Sequence, residues 1–364
     1  MKKIFLFLLL ALCLASMASA QALIGAKAAG MGGSGVAYVT DLTSVYYNPA
    51  GLMKSNNFAS LLTLSPSYTD YQSVQTAFSK ATDPAQFLVD NYANDLSFRG
   101  NLAGMFGLNI NKIGLSYVAL PLGNYAGDTL SSTNTIYFNK PAGYLQAYAT
   151  YGTRYDAVLT LGRSFGSLDV GVNLKSINAL YGNLGAATTE TSSTYIKGTG
   201  TGTAVDIGVR SQVDLPFLGS AAVGATVRDL MGNINYKRTS ETYYFNVVPP
   251  TGTITTDAEV PLADKSVTLD TPIVIGLAAN TALGFGVAAD LEMLKSETIS
   301  HLGLEYPILK GILTARAGLM SGVTVNKTTL GASINLALIN LEATTIIDNK
   351  DSTNTSWVAN ITIL

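Results

Sequence analysis

Apolar and polar residues alternate one by one along much of this chain. Leu168, Val170, Val172 and Leu174 alternate with Asp169, Gly171, Asn173 and Lys175, and Val205, Ile207 and Val209 with Asp206, Gly208 and Arg210. The same rhythm runs from Leu283 to Glu292 and from His301 to Tyr306. A period of two places every apolar side chain on one face of an extended strand. One stretch, 273–289, imitates a membrane helix of about 20 residues. Asn280 and Thr281 at its centre, Gly276, Gly284 and Gly286 along it, and Asp290 and Glu292 just beyond it predict strand, tight turn and strand instead.

Read this way, strands are expected near 58–70, 97–109, 112–121, 144–165, 168–180, 197–212, 220–229, 270–280, 283–292, 298–306, 311–320, 327–335, 338–348 and 355–364, fourteen in all. Tight turns fall near Asn111, Gly166, Leu215 to Gly219, Thr281, Pro307 to Lys310 and Leu336, and the alternate connections are looser or longer. The long loops, 71–96, 122–143, 181–196 and 230–269, therefore share one side, with both chain ends on the other, and the strand number is even. The stretch 144–165 is read as one strand, with Gly152 marking a bulge inside it. An amphipathic helix from Val74 to Tyr92, interrupted at Asp83 and Pro84, is expected to cap the rim through Phe78, Phe87, Leu88 and Tyr92.

Alternation alone suits a soluble sandwich as well as a membrane barrel. Composition separates them. Charged residues make up 13% of the chain, against about 25% in soluble domains, and mean hydropathy is positive at +0.28. The faces opposite the apolar ones carry many glycines and few charges. A surface facing lipid follows, and in lipid only helices and closed barrels satisfy the backbone. The 19 tyrosines against one tryptophan supply anchors for the two membrane interfaces. The fold class expected is all-β, a transmembrane antiparallel barrel of about 14 strands with an N-terminal plug.

Residues 1–20 read as a signal peptide: Lys2 and Lys3, an apolar run from Ile4 to Leu14, and small residues ending Ala18-Ser19-Ala20. Cys13 is not at a lipoprotein cleavage site, because Leu12 stands where a small residue is needed. Cleavage before Gln21 removes Cys13, the single cysteine, and with it any disulfide or thiol chemistry. It also removes Lys2 and Lys3, leaving 20 basic against 24 acidic residues, a balance that does not suggest a nucleic-acid partner. The expected location is the bacterial outer membrane.

Residues 21–57 differ from the rest. Gly25, Gly30, Gly32, Gly33 and Gly35 lie among small residues, then Asp41 and SVYYNPAGL from Ser44 to Leu52. Asn48 can cap a helical turn and Pro49 suits its first position, so a compact plug, or hatch, is predicted before a barrel over 58–364. No lysine follows the glycines at P-loop spacing, and no α/β unit surrounds them.

The segment from Ala28 to Leu52, AAGMGGSGVAYVTDLTSVYYNPAGL, resembles the FadL-like superfamily of outer-membrane transporters for long-chain fatty acids and other hydrophobic compounds. His301 to Leu319 and Thr329 to Thr344 resemble the PorV and TraF-type relatives within it. The resemblance implies a fourteen-stranded barrel with a hatch in its lumen, ligand entry from outside, and sideways exit into the membrane through a kinked strand. On that basis Asn48, Pro49 and Ala50 are the gate candidates and Pro121 the strand-kink candidate, although Pro121 also suits the plain end of a strand. The PorV likeness implies an alternative, an adaptor or shuttle that binds a secretion or surface protein, for which loop 230–269 with Tyr243, Tyr244, Phe245, Pro249 and Pro250 is the candidate contact.

Inward faces carry Asp206, Arg210, Arg228, Asp290, Glu292, Glu305, Arg316 and Glu342, a set that either meets a passing carboxylate or pairs internally. His301 is the single histidine and has no recognisable serine or aspartate spacing around it. No enzyme activity, metal or cofactor is expected. The partners expected are outer-membrane lipid and a hydrophobic small molecule, with an open diffusion porin disfavoured by the plug.

Overall fold

The computed structural model describes residues 23–55, 58–69, 96–121, 135–139, 146–184, 192–215, 219–248, 251–281, 283–309, 311–350 and 355–363. The signal peptide, the Val74 to Tyr92 helix and the side chains of Tyr243, Phe245, Pro249 and Pro250 lie outside what it describes. Among the described residues, seventeen strands form one antiparallel sheet: β1 (Ala59–Thr69), β2 (Leu96–Ile110), β3 (Ile113–Pro121), β4 (Thr135–Asn139), β5 (Gln146–Phe165), β6 (Leu168–Leu184), β7 (Ser192–Leu215), β8 (Gly219–Val248), β9 (Thr251–Thr256), β10 (Val260–Thr268), β11 (Ile273–Asn280), β12 (Gly286–Met293), β13 (Thr298–Leu309), β14 (Leu313–Ser321), β15 (Asn326–Asn335), β16 (Ile339–Asp348) and β17 (Thr355–Ile363).

The pairings reduce these to fourteen staves. β4 occupies the position of β3 farther along the barrel, since both lie between β2 and β5. β9, β10 and β11 are successive pieces of one return stave along β8. The ring closes where β1 meets β17. Tight turns carry positive φ at Asn111, Lys112, Gly166, Gly284, Gly311 and Ala337. At 144–165 the single strand is present as β5.

Three expectations need correction. Segment 230–269 is a strand hairpin rather than a loop, because β8 continues to Val248 and β9 and β10 return along it. Likewise β4 lies within 122–143, and β6 and β7 reach into 181–196 as far as Leu184 and Ser192. No bulge occurs at Gly152, whose register with Tyr181 is continuous; β5 simply exchanges β3 for β4 as its partner there.

The missed strand extensions share a cause. In β6 the exposed side chains are apolar at Leu168 and Leu174, while Asp169 and Asn173 are buried. Farther along, Ser176 and Asn178 are exposed, and Ile177, Ala179 and Tyr181 are buried. β7 and β8 change likewise, from Ile207, Val209, Val213 and Val223 outside to Thr199, Thr201, Asn233 and Lys237. The switch coincides with bulged pairing between Thr203 and Ile207 and with positive φ at Asp229 and Met231. On the turn side of it the strands face lipid. Beyond it they face water and enclose an apolar cluster of Ile177, Tyr181, Ile234 and Tyr236. About 9–11 tilted residues span a membrane, so strands of 24 and 30 residues stand well past it.

Inside the ring lies the segment 23–55, with a short helix at Ala26–Gly30, a turn at Ser44–Tyr47 and a 3-10 turn at Pro49–Lys54. Its Ile24, Leu42 and Leu52 are fully buried, packed with Ala103, Met105, Val118 and Val158 of the wall. Leu23, Ala26 and Ala29 pack with Ile299, Met320, Ile346 and Val358. Backbone meets backbone at wall glycines: a Cβ at Gly171 would strike Pro49 and Ala50, at Gly303 Met31, and at Gly318 Gly32.

Two substitutions test this arrangement. Gly318→Val is expected to cost at least about 1–3 kcal/mol through overpacking and to make 23–55 cleavable by added protease in the folded barrel. Leu304→Arg, on the lipid face, is expected to cost about 2–4 kcal/mol in unfolding from vesicles, whereas Thr201→Arg, beyond the switch, costs about 0–1 kcal/mol.

Candidate functional site

The lumen is the site, and the plug divides it. Asn48 is fully buried and holds the plug in three directions. Its Nδ2 donates to Val36 O at 2.8 Å and to Val209 O of β7 at 2.9 Å, and its Oδ1 accepts from Ala50 N at 3.0 Å. The last bond caps the 3-10 turn that Pro49 opens, as the sequence predicts. Room for the amide comes from Gly208, where a side chain would collide with Asn48 Oδ1. Ala50 is fully buried in the same turn, facing Gly171.

Wall side chains complete the attachment. Asp290 Oδ2 accepts from the N–H groups of Gly35 and Val36 at 2.7 and 2.9 Å. Asn173 donates to Val45 O at 2.7 Å, Thr344 to Ala26 O at 2.7 Å and Arg210 Nε to Ala37 O at 2.9 Å. His301 Nδ1 lies 2.8 Å from Gly32 O, and its Nε2 lies 3.3 Å from Glu292. Burial pushes the phenols of Tyr46 and Tyr47 above the ordinary tyrosine value, so both remain neutral rings inside the plug.

The predicted lumen charges form pairs in three places. Arg228 binds Glu292 and stacks over Tyr46 with 5.3 Å to the ring centroid. Arg316 binds Glu305 at 2.6 Å and Glu342 at 3.1 Å. Asp206 belongs to a larger group: Lys175 reaches Asp206 at 2.7 Å and Asp229 at 2.9 Å, and Arg154 reaches Asp156 at 2.6 Å and Asp229 at 2.7 Å. Arg210 is held more loosely, 3.7 Å from Asp169. Pro121 is the last residue of β3, opposite Thr153.

Arg154, Asp156 and Asp229 were not singled out from the sequence, and Asp169 and Lys175 were read there only as polar positions of an alternating strand. Arg154 and Asp156 were legible as alternate positions of one strand, but Asp229 sits at the bulge where alternation fails. Beyond this charged layer the interior is filled by the buried apolar cluster of β6 to β8, where Tyr181 and Tyr236 meet edge to face at 5.2 Å. From the outside inward the order along these strands is aromatic cluster, ion-pair layer, plug.

Asn48→Ala removes three hydrogen bonds and leaves Val36 O, Val209 O and Ala50 N to find new partners. Each is worth about 0.5–1.5 kcal/mol, and the expected result is an intact barrel with raised proteolysis of the plug. Arg316→Met strands the buried carboxylate of Glu342 and the part-buried one of Glu305 and is expected to cost about 3–5 kcal/mol; Arg316→Met with Glu342→Gln recovers part of it, as denaturant unfolding would show.

No family model matches the chain, and no curated protein matches it in sequence. Solved structures do. The Ralstonia pickettii toluene transporter TbuX superposes with a TM-score of 0.60 at 13% identity, over 93% of this chain and 96% of that one. The Pseudomonas putida toluene transporter TodX gives 0.57 at 12% identity, over 93% and 96%. A Pseudomonas aeruginosa FadL homologue gives 0.52 at 11% identity, over 96% and 99%. A plugged barrel of fourteen staves, matched over nearly its whole length, has the fold of the FadL-type outer-membrane transporters.

Proposed function

We propose that this chain admits hydrophobic small molecules across the bacterial outer membrane. The observation that carries this reading is the layered lumen: an apolar, aromatic outer section above a plug that closes the passage. A general diffusion porin needs an open polar eyelet, and here the corresponding space is filled by 23–55. Toluene transporters share the fold, which supports small hydrophobic cargo such as monoaromatic hydrocarbons; long-chain fatty acids rest on the sequence resemblance of Ala28 to Leu52 alone. Cargo would gather in the aromatic section, and release of the bonds around Asn48 would open the way past the plug. Pro121, at the end of β3, remains the candidate for a lateral exit.

A second reading draws on the β8–β10 hairpin. It stands beyond the lipid-facing section and presents Tyr244 and Val260 at 40% and 56% exposure, a surface suited to a secretion or surface protein. Shortening that hairpin separates the two.

Protein purified in detergent is expected to release a hydrophobic ligand on extraction and mass spectrometry. Vesicles containing it are expected to take up toluene or oleate faster than vesicles holding a barrel locked by a disulfide between plug and wall. A barrel that stays empty and gives no faster uptake, yet captures a secreted protein through the β8–β10 hairpin, would move the function to the second reading.

A further inference from the structure

One turn of the plug is gripped from the wall by two side chains that stand directly opposite each other. Asp290 of β12 and His301 of β13 are register partners, and both reach the turn from Gly32 to Val36. Asp290 Oδ2 accepts from Gly35 N at 2.7 Å and from Val36 N at 2.9 Å, while His301 Nδ1 lies 2.8 Å from Gly32 O. Gly32 and Gly33 take positive φ, 67° and 88°, and a side chain at Gly33 would strike the His301 ring. A glycine turn is what lets the imidazole come this close.

The second ring nitrogen decides the charge of His301. Nε2 lies 3.3 Å from Glu292 Oε2, and Arg228 binds the other oxygen of Glu292, an ion pair that holds it as a carboxylate. A backbone carbonyl accepts and does not donate, and the same is true of a carboxylate. A neutral imidazole has one N–H to offer, so it would leave one of the two acceptors facing a lone pair. The imidazolium satisfies both.

The surrounding charges agree. Among the described residues, the groups that share this pocket with His301 and carry charge or titrate are Asp290 and Glu292 from β12, Arg228 from β8, and Tyr46 and Tyr47 from the plug. Met320 stands opposite His301 on β14. The two phenols stay neutral because burial pushes them up. With His301 protonated, two cations face two carboxylates; with it neutral, one buried carboxylate is left over, which is costly. His301 is 2% exposed, so bulk water screens these charges little.

We propose that His301 is an imidazolium in the closed barrel and serves as a proton-dependent latch on the plug turn from Gly32 to Val36. With the proton in place the turn is held on both sides, its carbonyl by His301 and its N–H groups by Asp290. Loss of the proton frees either Gly32 O or Glu292, whichever the surviving tautomer does not serve. A contact that needs the proton is present at low pH and lost as pH rises, so alkaline conditions loosen the turn. Asp290 and Glu292 make their contacts as carboxylates and act in the opposite sense, on the acid side. The latch concerns how the plug is held, apart from what the passage carries.

His301 is the single histidine, so protein grown with isotope-labelled histidine and purified without a histidine tag reports on this ring alone. Nuclear magnetic resonance in detergent micelles is expected to show a proton on both ring nitrogens at neutral pH, where free histidine, with a pKa of about 6.5, has mostly lost one. Cleavage of 23–55 by added protease gives a second readout. Relative to His301→Gln in the same buffers, wild-type cleavage is expected to speed up roughly tenfold from mildly acidic to mildly alkaline pH, the loss of one charge-assisted hydrogen bond. The wild-type spectrum tests the proposal even if His301→Gln fails to fold. A ring nitrogen without its proton at neutral pH, or an equal pH dependence of cleavage in wild type and His301→Gln, overturns it. Toluene uptake enters neither measurement, so failure of the latch and failure of the transport reading are told apart.

Discussion

Everything inside this barrel depends on how closely the plug backbone approaches the wall. At Gly171, Gly208, Gly224, Gly303, Gly318 and Gly331, on six different strands, the space a side chain would need is taken by residues Gly30 to Pro49 or by the side chains that bind them. Glycine weakens a strand, and this wall accepts that at inward positions. What it gains is a plug whose carbonyl and N–H groups reach wall side chains directly, as at Asp290 and Asn173. With bulkier inward residues the same 33-residue segment would be held off the wall and its polar groups left unsatisfied.

The membrane leaves a second mark, along the strands rather than across them. β6 keeps its period of two throughout, but the apolar members move from Leu168, Val170, Val172 and Leu174 to Ile177, Ala179 and Tyr181. The strand has not ended; its surroundings have exchanged sides. A reading that followed outward apolar residues found the lipid-facing part of each strand, and so fourteen staves, and lost the continuations of β7, β8 and β10 as loops. The phase change at Lys175 to Ile177 was present in the sequence. Its meaning was not, because a strand leaving lipid for water and a strand giving way to a loop both lose outward apolar residues.

The site was legible to a similar depth. Asn48 and Pro49 could be placed as cap and first turn, since those roles are local. That Asn48 also binds Val209 could not, because the contact spans 161 residues. Among charges, alternation found those on regular strands, such as Arg316 and Glu305, whose pairing follows from their being directly opposite in the β13–β14 register. Asp229 escaped because the backbone turns at that residue, where φ is positive.

These two layers of polar contact differ in a way that bears on opening. The strong ion pairs join wall to wall: Arg154 with Asp229, Arg228 with Glu292, Arg316 with Glu342. The plug is held instead by hydrogen bonds involving its own neutral backbone, with Lys54 to Asp169 as the ion pair it contributes. Breaking a buried ion pair strands a charge and costs several kcal/mol. A hydrogen bond to a backbone group that water can replace costs about 1 kcal/mol. Those three wall pairs therefore stay neutralised whether or not the plug is seated, whereas Asp290 and Asp169 each lose a plug partner when it leaves. On the proposed transport reading, a barrel that stays rigid while its passage opens needs that division, with lasting pairs within the wall and exchangeable bonds to the plug.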